Sequence, residues 1–270
     1  MNWLIEPEVF QTDSRPLIAA LKKLGIKYTD VRFGTPYPET LASLGTEPTV
    51  YHGSLQFAKL IKNTPNHNVK VYCTLPKYEC VYYYPRLGKY LLNSDYVMIP
   101  FGDLARRKSW PFKVLGQNSL FFRPSSGYKT FTGLVLTEDE LVKEMPFWKR
   151  NVDPEALIIA APVQAVDKEW RVVIVGKKVI TAGQYAENGN SVRNSDVPEK
   201  VLAFAQEVAD SGYNPDPAWT IDVGETAGEL KVVEVGSFSC AGLYACDCEA
   251  IITAVNKISE LGEPVVARPV

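Results

Sequence analysis

Histidine is scarce: two residues, His52 and His67, among 270. A Ser–His–Asp or Cys–His mechanism therefore has few candidates. His52 lies in TVYHGSLQF, between an expected strand and an expected helix, where a turn or capping role outranks catalysis. Cysteine is limited to five residues, Cys73, Cys80, Cys240, Cys246 and Cys248, and no pair has the two-residue gap of a zinc knuckle. An odd number without a secretion signal predicts reduced thiols instead of a disulfide framework. No apolar run approaches the length of about 20 residues that crosses a bilayer. The opening MNWLIEPEVF has no cationic n-region and already carries Glu6 and Glu8, so no signal peptide is expected and the cytosol is the expected compartment. A net charge of -2 and a pI near 5.8 supply no excess of cations for a nucleic-acid backbone. The G-x-S-x-G, H-E-x-x-H, G-x-G-x-x-G and Walker-type phosphate motifs are all missing.

What is present is an ordinary globular composition, 46% hydrophobic and 22% charged. The length suits two packed domains or one large one. The first hundred residues alternate short strands and helices. WLIEP, IKYTDVRF, PTVYHG, VKVYCTL and DYVMIPF read as strands. Residues 14–24 read as a helix with Ser14 as its cap and Pro16 in its first turn, and SLQFAKLIKN reads as one capped by Ser54. The stretch YYYPRLGKYLLNSD is aromatic and irregular. A boundary falls near 101–115, after which the character turns antiparallel. The expected class is thus α+β: an α/β domain over residues 1–100, then a domain with antiparallel sheets over 101–270.

In that second part, TEDELVKEMPFWKR is a helix whose Thr137 and Glu140 have capping-box spacing. A strand over EALIIAAPVQAV is followed by a hairpin turning at Gly176-Lys177. The segment AENGNSVRNSD reads as a polar loop. The helix PEKVLAFAQEVADSGY follows, with Asp196 and Glu199 three apart at its start. Two strands, AWTIDVGE and ELKVVEVG, flank an Ala-Gly turn, and a last helix spans about 247–261.

Chemistry concentrates in four places. FFRPSSGYKTFTG sets Arg123 and Lys129 on either side of the small-residue loop Ser125-Ser126-Gly127, which reads either as a plain hairpin turn or as a polyphosphate cradle. Glu169 and Arg171, two apart at a strand start, share a face, unless they form a mere surface ion pair. Asp222 and Glu234 sit inside otherwise apolar strands joined by a short turn, so a simple hairpin brings the two carboxylates together unless one faces solvent. Acids so placed repel without a cation between them, and oxygen ligands with open positions suit Mg²⁺ shared with substrate phosphates.

Taken in this order, these segments resemble the ATP-grasp superfamily. EWRVVIV with the ending SCAGLYACD more narrowly resembles a phage and bacterial clade of it long carried as a domain of unknown function. The resemblance covers about residues 95–270. It implies an ATP-dependent ligase that joins a carboxylate to an amine through an acyl phosphate, with ATP and Mg²⁺ as cofactors. The acid could be an amino acid, peptide, protein terminus or modified nucleobase. A phosphotransferase or a non-catalytic nucleotide-binding regulator of the same fold are the alternatives. Under this resemblance Arg123, Lys129, Ser125, Ser126 and Gly127 hold the phosphates. Val163, Gln164 and Ala165 contact adenine, Glu169 faces the nucleotide, and Asp222 and Glu234 bind metal. Arg171, with Arg123, stabilises the transferred phosphoryl group. Tyr185, Asn190, Arg193 and Tyr244 are substrate candidates. Two departures stand out: Arg123 occupies the place of the usual lysine, and Gly236 that of the usual metal-ligand asparagine.

Overall fold

Alternation of strand and helix in the first seventy residues yields a parallel sheet. β1 (Asn2–Ile5) lies between β2 (Tyr28–Asp30) and β3 (Thr49–His52), and β4 (Val69–Lys70) extends it beyond β3. In the computed structural model, which describes residues 1–32, 37–127 and 130–260, the crossovers are α1 (Gln11–Lys23), α2 (Tyr37–Leu44) and α3 (Leu55–Asn63). Ser54 caps α3 as its side chain predicts, accepting the Phe57 N–H at 3.1 Å. α1 begins earlier than expected. Asp13 and Ser14 both donate to the Phe10 carbonyl, so the first turn closes upstream and Ser14 is a buried interior residue, not the cap. VKVYCTL contributes only two strand residues.

The aromatic stretch after it resolves into α4 (Cys80–Leu87) and a 3-10 turn over Gly88–Tyr90. β5 (Val97–Pro100) then pairs not with the first sheet but with another, ordered β5-β8-β6-β7. Two short helices, α5 (Phe101–Arg106) and α6 (Trp110–Leu115), lead to the hairpin of β6 (Ser119–Pro124) and β7 (Leu134–Thr137). α7 (Glu138–Asn151) starts on the predicted Thr137/Glu140 capping box and packs Leu141, Met145 and Trp148 into the core of this sheet, which β8 (Leu157–Pro162) completes.

The third sheet, β11-β10-β9-β12-β13, is wholly antiparallel. It comprises β9 (Lys168–Val175), β10 (Lys178–Glu187), β11 (Asn190–Asn194), β12 (Ala218–Thr226) and β13 (Glu229–Ser237), with α8 (Glu199–Asp210) between β11 and β12 and α9 (Cys248–Glu260) at the end. β11 was expected to be loop. Asn188-Gly189, both at positive φ, form a tight turn that carries the chain back along β10. α8 starts at Pro198 with no side-chain cap, and Asp196 instead donates its N–H to the Asn194 side chain. Strand alternation sorts β9 cleanly. Trp170, Val172 and Ile174 pack with α8 and α4, while Val173 and Val175 pack with α9, α1 and β1. Arg171 falls on the second face.

Candidate active site at the junction of the sheets

Register brings the predicted charges into one row. Arg171 on β9 lies opposite Asp222 on β12, and Asp222 lies opposite Glu234 on β13. The Arg171 guanidinium grips Asp222 with both arms, Nε to Oδ1 at 2.6 Å and Nη2 to Oδ2 at 3.1 Å, and Nη1 donates to the Gly242 carbonyl at 3.0 Å. Arg123, which reaches over from β6 of the neighbouring sheet, donates to Glu234 Oε1 at 2.8 Å. Cation, anion, anion, cation thus stand in one row across the cleft between two sheets. Arg171 and Asp222 are 9% and 5% exposed, so each charge depends on its partner for the solvation that burial removes.

Aromatic rings frame one end of the row. The Arg171 guanidinium sits 5.2 Å from the Tyr244 ring, and Tyr244 stacks on Tyr185 at 4.7 Å with 17° between planes. The Tyr185 hydroxyl donates to Glu169 at 2.7 Å. Burial raises the Glu169 carboxyl above its ordinary range, the Tyr185 hydrogen bond opposes this, and the charges of Asp222 and Glu234 add to it.

A cavity of about 220 Å³ opens on this row. Arg171, Asp222, Glu234 and Gly236 line one side, Gly127 of the small-residue loop meets it, and Phe10, Leu55, Leu75 and Tyr78 line the other. Gly236 is enforced by packing: a Cβ there would lie 2.7 Å from Thr220 Oγ1 on the facing strand. Asp222 and Glu234 offer the hard carboxylate oxygens that a divalent cation prefers. Among the described residues no group of three or more His, Cys, Asp or Glu side chains converges on a metal position. Both Asp222 oxygens are engaged by Arg171 and Glu234 Oε1 by Arg123, so an ion here would share these oxygens with the arginines and take its remaining ligands from phosphate and water.

The other predicted residues are distributed unevenly. Lys129 lies outside the described residues. Ser125 is buried, with its N–H on the Leu157 carbonyl at 2.8 Å and its hydroxyl accepting from Val81 N–H at 3.1 Å, so it builds the wall and offers no free N–H to a phosphate. Ser126 follows, partly exposed, on the path to Gly127. Val163, Gln164 and Ala165 are exposed just beyond β8, where Val163 keeps 43% of its surface. Of the substrate candidates, Tyr244 lines the cavity and Tyr185 stands behind it. Arg193 is committed elsewhere, bonded to Asp13, to Thr12 Oγ1 and to the Tyr244 carbonyl. Asn190 points its amide at the Asn188 carbonyl, 3.3 Å away, on an exposed hairpin apart from the cavity. Phe10, Leu55 and Leu75 were not anticipated. Each follows the carboxyl end of a parallel strand (β1, β3 and β4), the edge at which open α/β sheets receive ligands, and that was the available signal.

A family model described as an ATP-grasp domain, the third family of its clade, matches residues 32–255. No curated protein matches the chain by sequence. Among solved structures it is similar to D-cycloserine synthetase DcsG, at 13% identity and a TM-score of 0.64, with 96% of this chain and 99% of that one covered. It is also similar to the D-alanine–D-alanine ligase of Bacillus anthracis, at 12% identity and 0.62, covering 96% and 98%. Phosphoribosylamine–glycine ligase of Thermotoga maritima is similar at 12% identity and 0.69, covering 97% of this chain and 76% of that one.

Proposed function

The chain belongs to this family of ATP-grasp domains, and on that premise we propose that it is an ATP-dependent ligase joining a carboxylate to an amine through an acyl phosphate. The observation that carries this reading is the row Arg171–Asp222–Glu234–Arg123, two carboxylates flanked by two guanidinium groups, across the cleft between the two antiparallel sheets. A substrate carboxylate oxygen attacks the γ-phosphorus, a new O–P bond forms, the bond to the β-phosphate oxygen breaks, and ADP leaves. The amine then adds to the activated carbonyl carbon, loses a proton and expels phosphate. Arg171 and Arg123 are preorganised cations held by their carboxylates before substrate arrives, which is how charge developing on a transferred phosphoryl group is stabilised without reorganisation.

Asp222 and Glu234 would hold Mg²⁺ against the phosphates, and such an ion neutralises charge on the phosphate oxygens. Gly127 and Ser126, with Lys129, would cover those phosphates. Val163, Gln164 and Ala165 would meet the adenine at the exposed end of β8, and Glu169 would face the nucleotide.

Phosphate released only when ATP, an acid and an amine are all present identifies a ligase. Labelled acceptor without amine identifies a phosphotransferase, and nucleotide bound without turnover identifies a regulator. In the ligase, Glu234→Gln should lower turnover by at least about 100-fold while ATP binding is only weakened. Undiminished turnover in that variant removes Glu234 from the machinery.

A further inference from the structure

We infer that the acid which this site activates carries an apolar side chain beside its carboxylate, as in a hydrophobic amino acid or a short peptide ending in one. The inference rests on the ligase reading and adds the substrate's chemical class. The cavity is two-sided. Among the described residues, its charged lining consists of Arg171, Asp222 and Glu234, all on the central sheet. A substrate carboxylate must sit at that side to reach the phosphoryl group.

Its body then extends toward the loops that follow β1, β3 and β4, where the side chains on offer are Phe10, Leu55, Leu75 and Tyr78, the last buried with its hydroxyl on Asp216, and none of them charged. Of the acids and the base near those loops, Glu6, Asp13 and His52 are each already bonded to protein. Glu6 accepts from Ser54 N–H and Ser54 Oγ, both at 2.7 Å, and from the hydroxyls of Tyr37 and Tyr51. Asp13 is paired with Arg193, and His52 Nε2 is bonded to the Ala241 carbonyl at 3.0 Å. A charged side chain placed there would be desolvated against leucine and phenylalanine with no charged partner on this side. An apolar body gains there, by about tenfold or more in kcat/KM per added methylene in a fitted pocket.

The test supplies ATP, Mg²⁺ and hydroxylamine, which traps an acyl phosphate as a hydroxamate, with a panel of free amino acids and dipeptides ending in leucine, phenylalanine, valine, glutamate or lysine. Hydroxamate should form with the apolar members at least about tenfold faster than with the charged ones. Leu55→Asp should abolish that preference while ATP binding is retained. Leu55 is the first residue of α3, where a carboxylate favours the helix terminus, so this variant is expected to fold. Hydroxamate formed preferentially from glutamate or lysine acids overturns the inference and leaves the ligase reading intact. Nucleotide binding with no hydroxamate from any member also overturns the inference, whereas failure to bind ATP overturns the reading beneath it.

Discussion

Position 236 shows how one residue can depart from a family pattern for a packing reason. Thr220 and Gly236 face each other across β12 and β13, and Thr220 is 1% exposed, so its hydroxyl has little room to turn away from an added Cβ 2.7 Å distant. Gly236→Asn should therefore destabilise the fold by about 1–3 kcal/mol, the cost of forcing a Cβ against Thr220. Thr220→Ala made together with Gly236→Asn should recover most of that loss, because the two positions share one volume and their effects cannot add. Denaturant unfolding of the two single variants and the double variant measures the coupling. A neutral Gly236→Asn, or strictly additive changes, would show that the glycine is not enforced by Thr220.

At the scale of elements, strands and caps whose signals are local were legible in advance. The Thr137/Glu140 box, the Ser54 cap and the turns at Gly176-Lys177 and Ala227-Gly228 each depend on residues within a few positions of one another. The pairing of Asp222 with Glu234 followed from one short turn. β11 was missed although Asn188-Gly189 is a hairpin signal in its own right, because the strand it starts is polar and shows no alternation. What holds it is a tertiary contact: Arg193 ties the strand to Asp13 and Thr12 of α1 and to the Tyr244 carbonyl. No sequence pattern links positions 193 and 13. The engagement of the Ser125 N–H was not legible for a related reason, since it is taken by Leu157 of a strand that pairs from far downstream. Arg193→Ala should leave the buried Asp13 carboxylate without its cation and cost about 1–3 kcal/mol. Amide exchange across Asn190–Asn194 should rise more than in β9 or β12. Equal protection in the variant and the parent would show that β10 alone holds β11.

The whole molecule is joined where the first sheet meets the segment after β13, and one titratable residue sits in that joint. Gly53 N–H donates to the Ser239 carbonyl at 2.8 Å, Tyr72 N–H donates to Ser239 Oγ at 2.9 Å, and a single core combines Trp3, Ile5 and Leu17 with Val173, Phe238 and Ile251. His52 closes the joint by donating Nε2–H to the Ala241 carbonyl. That fixes the neutral tautomer, and Nδ1 has no partner among the described residues. The rings of Phe10 and Phe238 flank it at 5.4 and 5.6 Å. Burial lowers its pKa from 6.5 to about 4, against the smaller opposing effects of the Ala241 bond and the Asp13 charge. Above pH 6.5 the ring is neutral whether the chain is folded or not, and this contribution is full. As pH falls toward 4 the unfolded chain takes up a proton that the folded one refuses, so stability declines through that window, by about 3 kcal/mol in all at 1.36 kcal/mol per unit of pKa difference. His52→Gln, whose amide can still donate to Ala241, should lower stability at neutral pH yet flatten the acid limb between pH 6.5 and 4. Unfolding free energies of the parent and the variant, measured at half-unit intervals, test this directly. Parallel curves would mean that the acid sensitivity of the molecule resides in its carboxylates and not in the histidine that joins its first sheet to the segment after β13.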